Sequence, residues 1–593
     1  MGWWRKRRAA KGPRVDDLFY DNPTPEEPVA DADGQDADGA RPGAGEPGSQ
    51  EPGPSEQQAP ETDVEHRYAA RADREPADGV TALPGRQRTG LATTGRWGRA
   101  AAVVAVAGML VYGAGTGVVG ELDLARALDL EVPVSGGGAT GAGLAIVSDA
   151  TMACPGPGLV GLDDPTVTEP DQGVVVRAGS APAEAVGQAL VTSGAGRLTL
   201  TGTPDGESDS VTTRSDVATV NLDGALWARG VAEGSLAAGL TGSQLGYSFQ
   251  EQQWGLATAA CGEARDDIWL VGGGDEPGRV ERIILANPTG NPVTVGVEVL
   301  GADGPVDVVG GSGIVVAPGG RQVLLLDALA PGEARPVVHV TTTGGPVHAA
   351  LGDRWLEGTL DRGTEVTTAA AAPATELVIP AVAAPRRDTA DSAFVRVAVP
   401  GSETAVVELR GLTPDGPVRL EQGVVTVSGG SVVDVDVSDL PRGTHAIEVA
   451  ADTPVVAAAH VEWRDEAEGV ADLAWSPATI PSTDLQGAHL ATSGDGAIKG
   501  RLNITSLEGA TVEVVMLVDG AVQTREVTVP AASSQTIAFP ELTEGAWVRT
   551  EEGTAASAVV FRLEHALGTQ VAGLSLPTVP LTREVRATQP WRP

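Results

Sequence analysis

From residue 280 onward, apolar and polar positions either alternate with a period of two or merge into short Val-rich runs, as in "RIILANP", "VTVGVEVLG" and "RQVLLLD". These runs are bounded by "TGNP", "GADGP" and "APGG". The alternation predicts short β-strands, since successive side chains leave a strand on opposite faces, and Gly, Pro, Asn and Asp supply the turns between them. The pattern also recurs on a longer scale. "LGADGPV" (300–306) returns as "LTPDGPV" (412–418), "LDALAPG" (326–332) as "VSDLPRG" (437–443), and "TTGGPVHAALGDRW" (342–355) as "AADTPVVAAAHVEW" (450–463). A fainter third copy follows in "VVMLVDGAV" (514–522) and "ASAVVFRL" (556–563). A period of 108 to 112 residues with about seven strands per copy matches an immunoglobulin-like sandwich and exceeds a propeller blade of about 40–45 residues. The expected fold is mainly β, with tandem immunoglobulin-like β-sandwich modules at 268–376, 377–477 and 478–580. A strand-rich region of unassigned repeat identity, 144–267, precedes them, and a tail, 581–593, follows.

The hydrophobic pattern upstream is of another kind. Residues 100–120, "AAAVVAVAGMLVYGAGTGVVG", carry no charge over 21 positions, enough at ~1.5 Å per residue to cross a hydrocarbon core of ~30 Å. Arg86, Arg88, Arg96 and Arg99 precede the run, while Glu121 and Asp123 follow it. The positive-inside rule then makes it a single N-terminal transmembrane helix, an uncleaved signal anchor whose partner is the lipid bilayer. The expected localisation is the plasma membrane, with residues 1–99 cytoplasmic and everything after the span extracellular. Residues 21–80, rich in Pro, Gly, Ala and acids, bury too little apolar surface to offset the entropy of ordering, so the 1–99 tail is expected to be largely disordered. Residues 121–143, with "SGGGATGAG", read as a juxtamembrane spacer.

Charge and cysteine content narrow the function. The 593-residue chain has a formal net charge of −38, and beyond residue 99 there are 27 basic against 61 acidic residues. A surface this acidic repels phosphate backbones, which excludes nucleic acid as a partner. Cys154 and Cys261 are the only cysteines and fall on the expected outer side, where a disulfide persists. Closing the loop of 106 intervening residues would stabilise the fold by roughly 4–5 kcal/mol in the chain-entropy model. Two free thiols or a metal pair are the competing readings.

The stretch "GLATAAC", then "DIWLVGGG" and "RVERIILANPTGNPVTVGVEVLGADGPV", with "CPGP" upstream at 154–157, resembles an actinobacterial membrane-anchored family known as domain of unknown function 5719. The likeness covers roughly residues 145–580. It implies an N-terminal anchor, an extracellular β-rich body and no assigned activity, and it supplies no functional residues.

Searches for chemistry yield little. No G-x-S-x-G elbow and no H-E-x-x-H pair occurs, so no catalytic residue, metal ligand or cofactor is assigned. His339 with His348, and His445 with His460, flank two predicted hairpins, but the repeat alignment does not superpose the pairs, and they read as scattered strand histidines. Asp434 and Asp436 in "DVDVSD" share a strand face where a calcium ion is the alternative to plain solvation. With Trp254, Trp475 and Trp547 they form the candidate binding surface, whereas Trp269, Trp355 and Trp463 recur near module boundaries and read as packing. The expectation is a non-enzymatic, membrane-anchored extracellular envelope protein acting as a scaffold or binding surface. The alternatives are an accessory factor for a cell-wall glycan or a secreted partner such as an envelope protein, and an enzyme of unrecognised type.

Overall fold

The computed structural model describes residues 142–162, 173–222, 226–250, 253–386, 390–465, 469–492 and 497–586. The expected cytoplasmic tail, the 100–120 span and nearly all of the 121–143 spacer lie outside these residues. Among the described residues no helix is long and apolar enough to cross a membrane.

Alternation in sequence becomes alternation in burial. The strand Val293–Gly301 buries every second side chain, and its inward valines share a core with Ile283, Leu285 and Leu351 of the facing sheet. The "VDGA" of the third copy is a two-residue hairpin turn with Asp519 at φ 48° and Gly520 at φ 72°, the positive-φ pair that the twist of adjoining strands favours.

Strand pairing divides the described chain into four sandwiches, I (149–261), II (267–368), III (374–477) and IV (486–575). With strands numbered one to eight within each, one sheet has the order 1-6-3-4 and the other 5-2-7-8, and all four sandwiches share it. In II the fourth strand is split into Gly304–Val306 and Ile314–Val316. In III the sixth and seventh strands are one 22-residue strand, Thr444–Asp465, which leaves one sheet and enters the other.

Region 144–267, left unassigned from the sequence, is a fourth copy of the same unit. The expected immunoglobulin-like order is corrected: in that order the first strand pairs with the second and the seventh with the sixth. Here the first pairs with the sixth and the seventh with the second. Exchanging strands one to four for five to eight maps one sheet onto the other, so each sandwich is two interlocked four-stranded halves. The chain changes sheet at every link except the 3–4 and 7–8 hairpins.

The eighth strands, Gly255–Cys261, Leu360–Thr368, Val470–Pro477 and Gly568–Ser575, are sheet edges. They pack around a common axis, I against II, II against III, III against IV, and IV against I. The sandwiches therefore form a closed ring. Ala142–Ile146 pairs antiparallel with Thr582–Arg586 beside the IV–I junction, and Leu245 and Leu256 of I extend the core of IV. Polar contacts reinforce the junctions. Arg321 of II donates to the carbonyls of Pro155 and Pro157 at 3.1 and 2.6 Å. Asn503 of IV donates to the carbonyl of Pro380 in III at 2.6 Å, and Ala491 N of IV to Ser243 Oγ of I at 2.9 Å.

Four buried edges leave four rows of main-chain N–H groups that need acceptors. Two carboxylates supply them. Asp472 accepts from Leu256 at 3.2 Å, Thr364 at 3.4 Å, Leu473 at 3.0 Å and Val571 at 2.8 Å, one N–H from each axial strand. Glu365 accepts from Thr258 at 3.2 Å, Val366 at 2.9 Å and Gly573 at 3.3 Å. Both are buried, and burial pushes both carboxyls well above their ordinary range against the opposing pull of these N–H bonds. The approach is close enough to require glycine. Gly363 sits at φ 110°, and a Cβ there would lie 2.4 Å from Asp472 Oδ1.

Candidate functional site

The C-terminal ends of all four axial strands, Cys261, Thr368, Pro477 and Ser575, line one cavity of about 770 Å³. The connectors that leave these strands supply much of its wall, and every sandwich contributes to it. Among the described residues no Phe, Tyr or Trp lines it. The volume falls within the range of about 300–1,000 Å³ usual for ligand sites.

One corner is fixed with particular care. The disulfide Cys154–Cys261 joins the first and eighth strands of I, and the next residue, Gly262, exchanges main-chain hydrogen bonds with Ala153 at 2.9 and 3.0 Å. Three residues on, Arg265 does the same with Val347 of II at 2.8 and 2.9 Å. The connector is thus pinned at both ends, and it places Arg265 beside His348. His348 is only 6% exposed, and its Nδ1 has no hydrogen-bond partner. Burial, aided by the charge of Arg265, holds its pKa down at about 4, so the ring is neutral at pH 7.

The other charged groups at the cavity are mostly engaged. Arg583 pairs with Asp149 at 2.9 Å, and Arg549 pairs with Glu513 and Glu551. Arg265 is exposed and, among the described residues, has no ion-pair partner. Glu263 and Asp484 stand exposed on the same rim. The lining also includes Val186, Leu190 and Leu581, which belong to one apolar cluster, and Ile480, which is 49% exposed.

The residues proposed from sequence as a binding surface lie elsewhere, and most are not on the surface. Trp254, Trp475 and Trp547 are 3%, 1% and 0% exposed, so none offers a platform for a sugar ring. Trp254 packs against Phe249 and His565 with centroids 5.8 and 5.7 Å away. Trp547 packs edge-on against His489 at 4.8 Å. Trp475 of III donates through Nε1 to Asp353 of II at 2.7 Å, inside a buried cluster where Arg279 also holds Asp353. Asp434 grips the buried Arg396 at 2.9 and 3.0 Å, and Arg396 reaches across to the carbonyl of Gly273 in II at 2.8 Å. Trp475 and Asp434 therefore join II to III. Asp436 is exposed and accepts Ser438 N at 2.7 Å.

The histidine pairs are also separated. His339 and His348 lie in different sheets of II, and His445 and His460 lie on one continuous strand. Among the described residues no group of three or more His, Cys, Asp or Glu is placed to hold a metal ion. Of the boundary tryptophans, Trp269 stacks on His339 at 4.1 Å and belongs with Trp355 and Trp475 to the II–III cluster. Trp463 lies under Arg562 of IV at 4.4 Å.

Fold and cavity define a mainly β protein of four tandem sandwiches closed around an axis, with a ligand-sized cavity at one end of that axis. Residues 211–540 match the family of unknown function DUF5719; more than half of the chain is covered, and the protein belongs to that family. No curated protein matches the chain.

Proposed function

We propose that this protein is a non-enzymatic, membrane-anchored extracellular scaffold that binds an envelope component in its axial cavity. The observation that carries this reading is the convergence of connectors from all four sandwiches on one cavity of about 770 Å³. A ring fused at every junction holds such a cavity open in advance, and preorganisation lowers the cost of binding. The apolar run at 100–120 and its flanking charges support the anchor and the outward orientation. The buried tryptophans, and a lining without Phe, Tyr or Trp among the described residues, favour an envelope protein over a glycan as the component bound.

The test uses the ectodomain, residues 121–593, in pull-downs against cell-wall polysaccharide and extracellular proteins, with and without calcium. Saturable retention from the protein fraction, weakened when Ile480→Trp adds bulk to the cavity wall, is the expected result. Retention unchanged by Ile480→Trp would place binding elsewhere and overturn the reading.

A further inference from the structure

We infer that Lys499, Arg501 and Arg562 of sandwich IV form a site for a phosphate dianion, free or carried as a monoester, at the junction with III. None of these residues lines the axial cavity. The strands Ile498–Ser506 and Ala556–His565 pair so that Lys499 lies opposite Arg562, and Arg501 opposite Val560. Paired residues share a face of the sheet, which sets Arg501 diagonally beside Arg562. This face turns toward III: Val560 lies in the core of III, and Asn503, two positions beyond Arg501, donates to the carbonyl of Pro380. From III, Arg386 joins the group. Its guanidinium and that of Arg562 both lie on the Trp463 ring, 5.3 and 4.4 Å from the centroid.

Like charges directly opposite one another destabilise a sheet, and beyond residue 99 acids outnumber bases 61 to 27. Even so, among the described residues neither Arg501 nor Arg562 has a hydrogen bond or an ion pair, and Arg562 Nε is buried without an acceptor. Burial, then repulsion by Arg501 and Arg386, pushes the Arg562 guanidinium below its ordinary range. The acids at hand are taken: Asp391 holds Arg386 at 2.8 Å, and Glu564 is drawn to Lys499 at 3.7 Å. Arg501 and Arg562 therefore contribute two positive charges that no carboxylate offsets. A phosphate monoester carries about two negative charges at pH 7, and guanidinium forks grip its oxygens in pairs. Stacking on Trp463 fixes the plane of the Arg562 fork. The acidity of the rest of the chain repels an extended polyanion, so the ligand offers a single phosphate group.

Equilibrium dialysis of the full chain in neutral detergent against radiolabelled inorganic phosphate, and separately against glycerol phosphate, at constant ionic strength tests the site. Saturable binding is expected, and the tighter of the two ligands tells whether the phosphate is taken free or as an ester. Arg501 is exposed, so its loss spares the core. Arg501→Ala should weaken binding about tenfold or more, the size expected for a charge-assisted bond, and Arg501→Glu should abolish it. Arg525→Ala, on the outer edge strand of IV, should leave it intact. Thermal melts give a readout that a merely structural arginine would not. Without phosphate, Arg501→Ala should melt at or above the wild-type temperature, because repulsion is relieved, and phosphate should raise the midpoint of the wild type but not of Arg501→Glu. Absence of saturable binding, binding unchanged in Arg501→Glu, or displacement of the ligand by acetate as readily as by phosphate would overturn the inference.

Discussion

Asp472 is a single side chain on which all four sandwiches depend, because its two oxygens accept N–H groups from every axial strand. Asp472→Ala would leave buried donors on strands of I, II and IV without acceptors. At about 1–3 kcal/mol for each unsatisfied group, a loss on the order of 3–5 kcal/mol is expected in denaturant unfolding. The titrating groups set a pH profile with two limbs. Burial and repulsion by Asp353 raise the Glu281 carboxyl to about 8 against the pull of Arg279, and the axial carboxyls are raised as well. A raised folded value contributes stability that is full below the unfolded carboxyl value and is lost as pH rises through the folded one. Stability should therefore fall as pH rises from the ordinary carboxyl range to about 8 and level off above it, and Glu281→Gln should flatten this limb. The opposite limb comes from His348 and His489, both held at about 4 by burial. Their contribution is full above about 6.5, the unfolded value, and is lost as pH falls toward the folded one. Thermal melts across the pH range read both limbs. The axial acids had a trace in the sequence. "GTEVT" at 363–367 recurs as "GTQVA" at 568–572, an acid and its amide at one position in two axial strands. Nothing local distinguishes an acid that faces solvent from one that caps three neighbouring strands. For the same reason Trp254, Trp475 and Trp547 were legible as tryptophans and illegible as buried ones: their cover comes from residues distant in sequence.

At the level of elements, the strands and hairpins were legible because a period of two and a D-G or N-P turn are local properties. The copy boundaries were legible to the extent that turn motifs repeat. Sandwich I carries that signal too: its "TPDG" at 203–206 is the tetrapeptide found at 413–416, in both cases between third and fourth strands. The strand order was not legible, since it depends on which sheet each link enters, and links of similar length serve both choices. Two changes test the elements that build the cavity. Gly363→Ala would drive a methyl into Asp472 and the main chain of III at a positive φ, with an expected cost of about 2–4 kcal/mol in urea unfolding. Cys261→Ser would remove a cross-link spanning 107 residues. The expected loss is about 4–5 kcal/mol from chain entropy, accompanied by faster amide exchange at 262–265, where the connector is pinned. Native-state hydrogen exchange and chemical denaturation separate the two effects.

The four sandwiches behave, on this account, as one cooperative body. Their apolar clusters do not respect sandwich boundaries: Ala558, Val560 and Val571 of IV lie in the core of III, and Trp269 and Trp355 of II pack with Leu473 and Trp475 of III. Calorimetry should accordingly show one unfolding transition whose calorimetric and van't Hoff enthalpies agree, whereas a string of independent modules would give several. Closure also explains how the four axial strand edges are kept from pairing with other chains: they face one another on the axis. That arrangement brings the C-terminal ends of the axial strands together and so creates the cavity. The most direct measurement is hydrogen–deuterium exchange of residues 121–593 with and without the extracellular protein fraction. New protection is expected at 261–265, 347–349 and 477–485, segments that line the cavity. Protection confined to the outer edge strands, with the connectors unchanged, would contradict it.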